Sequence, residues 1–137
     1  MNKRIEKIIE EIINLDYREY ENVEIETLLG KIFKEIIVGV NYISFINESE
    51  VYIMIHFQDC CESVEIEDIV GDISDIINYE ITMAEESTNK ENESDYGSFT
   101  WTYYKIGTCK GDISIRWYGE SNGYYSEDVS LVKLLDY

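Results

Sequence analysis

The chain contains no proline and one histidine, and only 11 of its 137 residues are lysine or arginine against 29 aspartates and glutamates, a formal net charge of −18. So few cations exclude a surface that neutralises nucleic-acid phosphates or anionic lipid headgroups, because both need clustered lysine and arginine. No stretch approaches the roughly 18 uninterrupted apolar residues of a membrane-spanning helix. The start, Met1-Asn2-Lys3-Arg4 followed by Glu6, Glu10 and Glu11, lacks the apolar run of a secretory signal. The expectation is therefore a protein that is neither exported nor membrane-spanning and works in the cytoplasm. Three cysteines, two of them adjacent at Cys60 and Cys61, lack the spaced pairs of a disulfide framework and fit a reducing compartment. Also missing are Gly-x-Ser-x-Gly, a Walker loop, His-Glu-x-x-His and a dinucleotide fingerprint.

What is present is apolar and aromatic. Hydrophobic residues make up 45% of the chain and aromatics 13%, too much for a disordered acidic tail and enough for one modest core. Ile5, Ile8, Ile9, Ile12 and Ile13 recur at helical spacing, which predicts an amphipathic helix over about 3–20, placed in an N-terminal extension (1–22) ahead of a single domain (23–137). Its isoleucine stripe has to cover either the sheet that follows or the same helix of a second chain, so a homodimer is one expectation. From Ile32 to Phe57 the residues become β-branched and aromatic, with a turn near Gly39 or Asn41 and Asn47-Glu48-Ser49-Glu50 joining strands at about 42–46 and 51–57. Gly71 to Ile77 reads as a short helix capped by Asp72. Ser87 to Ser98 reads as an exposed polar loop, and three strands follow at about 99–108, 112–119 and 124–132. The first two meet near Lys110-Gly111, and Asn122-Gly123 is read as a tight hairpin turn before the third. The architecture this implies is α+β, with about six antiparallel strands in a twisted sheet, the N-terminal helix and one short helix between strands.

Three constellations could carry chemistry. The first, His56-Phe57-Gln58-Asp59-Cys60-Cys61-Glu62, offers imidazole, thiol and carboxylate, and a metal-assisted hydrolase would centre on His56, Asp59 and Cys60. The spacing is poor for a metal, since neighbouring sulfurs do not easily share one ion and Cys109 stands alone. Packing of one sulfur into the core at a strand end is the plainer reading, and no cofactor or metal is expected. The second joins Phe99 to Tyr104 with Ile115 to Gly119 and Ser121 to Ser126. Alternation puts Ile113, Ile115 and Trp117 on one sheet face and Ser114, Arg116 and Tyr118 on the other. Arg116, Trp117, Tyr118, Asn122, Tyr124 and Tyr125 are thus candidates for an aromatic and arginine platform, or, more plainly, for a cross-strand ladder with Arg116 paired to an acid. The third is charge: between Glu48 and Asp95 the only base is Lys90. Glu62, Glu65, Glu67, Asp68, Asp72, Glu85 and Glu86 form a candidate acidic face, which either solubilises the protein or mimics nucleic-acid phosphates toward a basic groove.

Taken together, His56 to Val64, Ile66-Glu67-Asp68-Ile69, Gly71-Asp72-Ile73, Met83-Ala84-Glu85-Glu86, Phe99-Thr100-Trp101-Thr102, and Ile115 to Gly119 with Ser121 to Ser126 resemble a family of small bacteriophage proteins. That family is a domain of unknown function with the signatures H-x-Q-D-C-C-E, I-E-D, S-F-T-W-T-F-Y-K and I-R-W-Y-G-x-S-N-G-Y-Y-S. The likeness runs over about residues 28 to 130. It departs at Tyr103, where the family tends to phenylalanine, and in the content of the loop from Ser87 to Ser98. The resemblance implies a phage or prophage origin and action in an infected bacterium, and it transfers no functional residue. The reading that follows is a non-enzymatic binding protein, an inhibitor of a host antiviral defence system such as a CRISPR effector or another nucleic-acid immune complex. It would dock through its acidic surface onto a defence protein with a basic groove. The alternatives are a sponge that sequesters a cyclic nucleotide signal through Arg116 and its aromatic neighbours, and the metal-assisted hydrolase.

Overall fold

β-branched and aromatic residues alternating with polar ones, in a chain without proline, can donate to a ladder at every position. The computed structural model bears this out more widely than the α+β expectation allowed. It describes residues 19–93, 97–123 and 125–135, apart from the side chains of Asn92 and Glu93, and isolated positions nearer the N-terminus. Within 19–135 the described elements are nine strands and two short 3-10 turns with no α-helix, so the fold is all-β. The amphipathic helix expected over 3–20 falls mostly outside the described residues.

The strands are β1 (Tyr20–Asn22), β2 (Glu35–Val38), β3 (Tyr42–Ile46), β4 (Val51–Ile55), β5 (Ser63–Val70), β6 (Met83–Glu93), β7 (Gly97–Thr108), β8 (Gly111–Ser121) and β9 (Ser130–Leu134). They form two antiparallel sheets, one of five strands in the order β1-β9-β4-β3-β2 and one of four in the order β5-β8-β7-β6. The turns at Gly39 to Asn41, Asn47 to Glu50 and Lys110-Gly111 fall where the sequence places them.

Four expectations need correcting. The single sheet of about six strands is two sheets. The short helix is only a 3-10 turn, Ile73–Asp75, although Asp72 caps it as expected by accepting from the Ser74 N–H at 2.9 Å. The polar stretch from Ser87 is no loop: β6 pairs with β7 in unbroken register from Met83↔Gly107 to Glu93↔Gly97. Since β6 is the edge of its sheet, its polar side chains from Ser87 to Glu91 remain in water, and charged residues on an edge also discourage pairing with another chain. Finally, Asn122-Gly123 does not turn β8 back on itself. The chain crosses to the other sheet, where β9 lies between β1 and β4.

The two sheets face each other across a core of Phe33, Ile43, Phe45, Tyr52 and Met54 on one side and Tyr104, Ile106, Ile113, Ile115 and Trp117 on the other. Trp117 is wholly buried, and its indole N–H points at the Met54 sulfur, 3.3 Å away in the opposite sheet. A second shielded cluster of Ile46, Val51, Ile53, Val132 and Leu134 belongs to the five-stranded sheet. Among the described residues no helix is long and apolar enough to cross a membrane.

Candidate functional site

Strand alternation puts β7 residues Ser98, Thr100, Thr102, Tyr104 and Ile106 inside and Phe99, Trp101 and Tyr103 outside. On β8, Ile113, Ile115, Trp117 and Gly119 face in, while Ser114, Arg116 and Tyr118 face out. The register then builds three rows across the outer face: Glu91, Phe99, Glu120 and Ser63; Asn89, Trp101, Tyr118 and Glu65; and Ser87, Tyr103, Arg116 and Asp68. An aromatic stripe thus runs down the middle of the sheet with carboxylates on both sides. Tyr118 lies 4.9 Å from Trp101 and 6.2 Å from Phe99, centroid to centroid, and Trp101 stacks on Tyr103 at 6.2 Å.

Arg116 is already engaged. Its guanidinium makes a two-pronged pair with Asp68 and lies 5.9 Å from the centre of the Trp101 ring. Hydrogen bonding to Arg116 holds the Asp68 carboxyl below its ordinary range, against a smaller opposing effect of desolvation. The cross-strand ladder is therefore the arrangement found, and the charge and one edge of Arg116 are already matched by Asp68. Trp117 does not belong to the platform, because alternation sends it into the core. Tyr125 lies beyond the end of β8, its carbonyl near the Ser121 hydroxyl at 3.4 Å. Asn122 lines a cleft at that end of the sheet, and Tyr124 lies outside the described residues.

The seven candidate acids separate. Glu65 and Glu67 are exposed on edge strand β5, and Glu85 is exposed on the opposite edge, β6. Asp68 is spent on Arg116 and Asp72 on its turn. Glu86 lies on the other face of β6, where it accepts from the Tyr104 hydroxyl at 3.1 Å. Burial and the neighbouring carboxylates of Glu24, Glu26 and Asp128 raise its pKa. Glu62 is not on a surface at all: it is 4% exposed.

Glu62 organises the His56 to Glu62 segment from inside. Its carboxylate accepts from the Cys60 N–H at 2.8 Å, the Asp59 N–H at 2.9 Å and the Gln58 amide at 3.2 Å, and its Oε2 lies 2.8 Å from His56 Nε2. The other ring nitrogen of His56 donates to the Asp128 carbonyl at 2.6 Å, tying the end of β4 to the segment before β9. Both imidazole nitrogens are therefore committed. Cys60 and Cys61 are exposed and joined to each other as a disulfide, which corrects the expectation of a sulfur packed in the core. Among the described residues no group of three His, Cys, Asp or Glu side chains is arranged to hold a metal ion.

Desolvation alone would raise the Glu62 pKa, but the N–H donors and His56 outweigh it and bring it to about 2, from an ordinary 4.5. A depressed folded-state pKa contributes stability that is complete above 4.5 and lost as pH falls toward 2. Glu62→Gln is accordingly expected to melt below the parent protein at neutral pH. The gap should close as pH drops from 4.5 toward 2, as read by circular dichroism melts across that range. A gap that stays constant with pH would show that the charge of Glu62 is not what holds the segment.

A second buried carboxylate, Glu127, was not among the sequence candidates. It accepts from the Ser98 hydroxyl at 2.5 Å, the Thr100 hydroxyl at 2.7 Å and the Ser121 hydroxyl. Burial opposes its charge, yet the three hydroxyls more than compensate and its pKa is lowered. Gly119 makes the room: a Cβ there would stand 3.0 Å from Glu127 Cβ and 3.1 Å from Val64. The sequence signal was the run of small hydroxyl residues at inward positions 98, 100 and 102, which a purely apolar core would not use.

Above this network opens a cleft of about 520 Å³, lined by Phe99, Tyr118, Glu120, Asn122, Ser63 and Cys61 among others. Glu120 accepts from the Tyr118 hydroxyl at 3.3 Å. No lysine or arginine among the described residues is paired with Glu120: the ion pairs there join Lys31 and Lys133 to Glu50, Lys105 to Asp112 and Arg116 to Asp68.

No curated protein and no solved structure matches the chain. A family model described as a domain of unknown function (DUF7448) matches residues 26–131, which carry β2 to β8 and the start of β9. The match agrees with the expected span and does not itself carry a phage source. With most of the sandwich covered, the chain belongs to this family, DUF7448.

Proposed function

We propose that this is a non-enzymatic binding protein whose outer sheet face engages a basic protein partner. The observation that carries the reading is the aromatic stripe of Phe99, Tyr118, Trp101 and Tyr103 bordered by Glu65, Glu85, Glu91 and Glu120. Rings give such a surface its apolar anchors, and carboxylates give it long-range attraction and orientation toward a positively charged surface. Nucleic acid and anionic membrane are poor partners for a chain of net charge −18. In its specific form the proposal is an inhibitor, of phage or prophage origin and acting in the bacterial cytoplasm, that occupies the basic groove of a nucleic-acid-binding defence complex. The nucleotide-sponge alternative has less support, since Arg116 is held by Asp68.

The test is binding of the full chain to purified nucleic-acid-binding defence complexes across a salt series. Affinity is expected to fall by about tenfold or more between roughly 50 and 300 mM salt, as exposed charges become screened. The complex should also lose its hold on its nucleic acid. No binding at low salt, or binding indifferent to salt, would remove the proposal.

A further inference from the structure

The outer face already contains one cation site, filled from within: Arg116 lies over the Trp101 ring and is gripped by Asp68 from the neighbouring strand. One two-residue step along the strands an outward-facing ring again lies among carboxylates, with a tyrosine in place of the arginine. Phe99 takes the place of Trp101, Glu65 is the β5 carboxylate in the next row, and Tyr118 stands where Arg116 would. Phe99 has Glu91 and Glu120 as its two cross-strand neighbours, and among the described residues no cation lies over its ring. This is also where the surface opens into the cleft of about 520 Å³. A carboxylate only accepts hydrogen bonds and a ring face attracts positive charge, so the lining favours a planar, multiply donating cation.

We propose that this cleft receives an arginine side chain of the partner, its guanidinium stacked on Phe99 and paired with Glu120. Arginine fits better than lysine because a planar guanidinium can face a ring while its edge donates to a carboxylate; next door Arg116 pairs with Asp68 at 5.9 Å from the centre of the Trp101 ring. The inference rests on the proposed function in that the arginine belongs to a basic protein, but the cleft is tested separately.

The experiment titrates the full chain, labelled for amide NMR, with a short, otherwise uncharged peptide carrying one arginine, with its isosteric citrulline counterpart and with its lysine counterpart. The arginine peptide is expected to shift the amides of Gly97 to Phe99 and Glu120 to Asn122, and citrulline should leave them still. Glu120→Gln should weaken the arginine peptide by roughly tenfold, the usual scale for losing a charge-assisted contact. Glu48→Gln, which removes the same charge from a turn in the other sheet, should change it by less than about twofold. Phe99→Leu, with its fold checked by circular dichroism, should also weaken binding. Shifts elsewhere, equal response to citrulline or lysine, equal losses in both glutamine variants, or no shifts at all would each overturn the assignment. Salt-dependent capture of a basic partner that survives Glu120→Gln and Phe99→Leu would reject the slot and keep the binding face. Loading of the slot with no basic partner captured would do the reverse.

Discussion

Replacing Trp117 with alanine is expected to destabilise the fold by about 4 kcal/mol, the usual cost of emptying a large aromatic site that neighbours refill only in part. The side chain is fully buried between the sheets and reaches Met54 in the opposite layer, so the vacancy would open in the middle of the core. In a chain of this size that corresponds to a fall of roughly 10 to 15 °C in melting temperature. Thermal unfolding by circular dichroism measures it directly. A loss below about 1 kcal/mol would mean that the sheets do not close over this residue as described.

The second prediction concerns the other tryptophan. Trp101 is only partly buried and faces outward in the row of Tyr118, so Trp101→Ala is expected to change stability by no more than about 1 kcal/mol. Its effect should instead fall on partner binding, with affinity down about 30-fold or more, as for central aromatic anchors of interfaces. The variant also removes the ring beneath Arg116, leaving that guanidinium to Asp68 alone. The two tryptophans lie on opposite faces of adjacent strands, so the pair separates folding from recognition within one sheet. Parent-like binding by Trp101→Ala to a partner captured by the parent chain would shift the interface away from the stripe.

Much of this was legible in the chain itself. The alternation at 113–118 correctly separated Ile113, Ile115 and Trp117 from Ser114, Arg116 and Tyr118, because a period of two is a local property of an extended backbone. Asp72 announced its capping role for the same reason: the groups involved are two residues apart. What failed was non-local. The stretch from Ser87 looks like a loop because nothing in it needs a core, and only the pairing of β6 with β7 makes it a strand. Isoleucine-rich Gly71 to Ile77 has helical spacing but only one 3-10 turn, its apolar residues being used in packing against the sheets. Asn122-Gly123 has hairpin chemistry, yet the strand after it finds its partners in the other sheet.

The candidate site divides along the same line. Exposed Glu65 and Glu85 could be taken from composition, whereas Glu62 and Glu127 could not be told from surface acids. Glu62 is held within its own segment by Asp59, Cys60 and His56, whereas Ser98 and Thr100 become partners of Glu127 only once the chain has folded back. By itself the order of residues determined that this protein would be acidic, sheet-forming and rich in outward-facing rings. Which carboxylates were drawn inside, which acid claimed Arg116, and where a cleft opens beside Phe99 were decided by tertiary structure. Hydrogen-bond acceptors and charges are matched through space, and separation along the chain does not measure that distance.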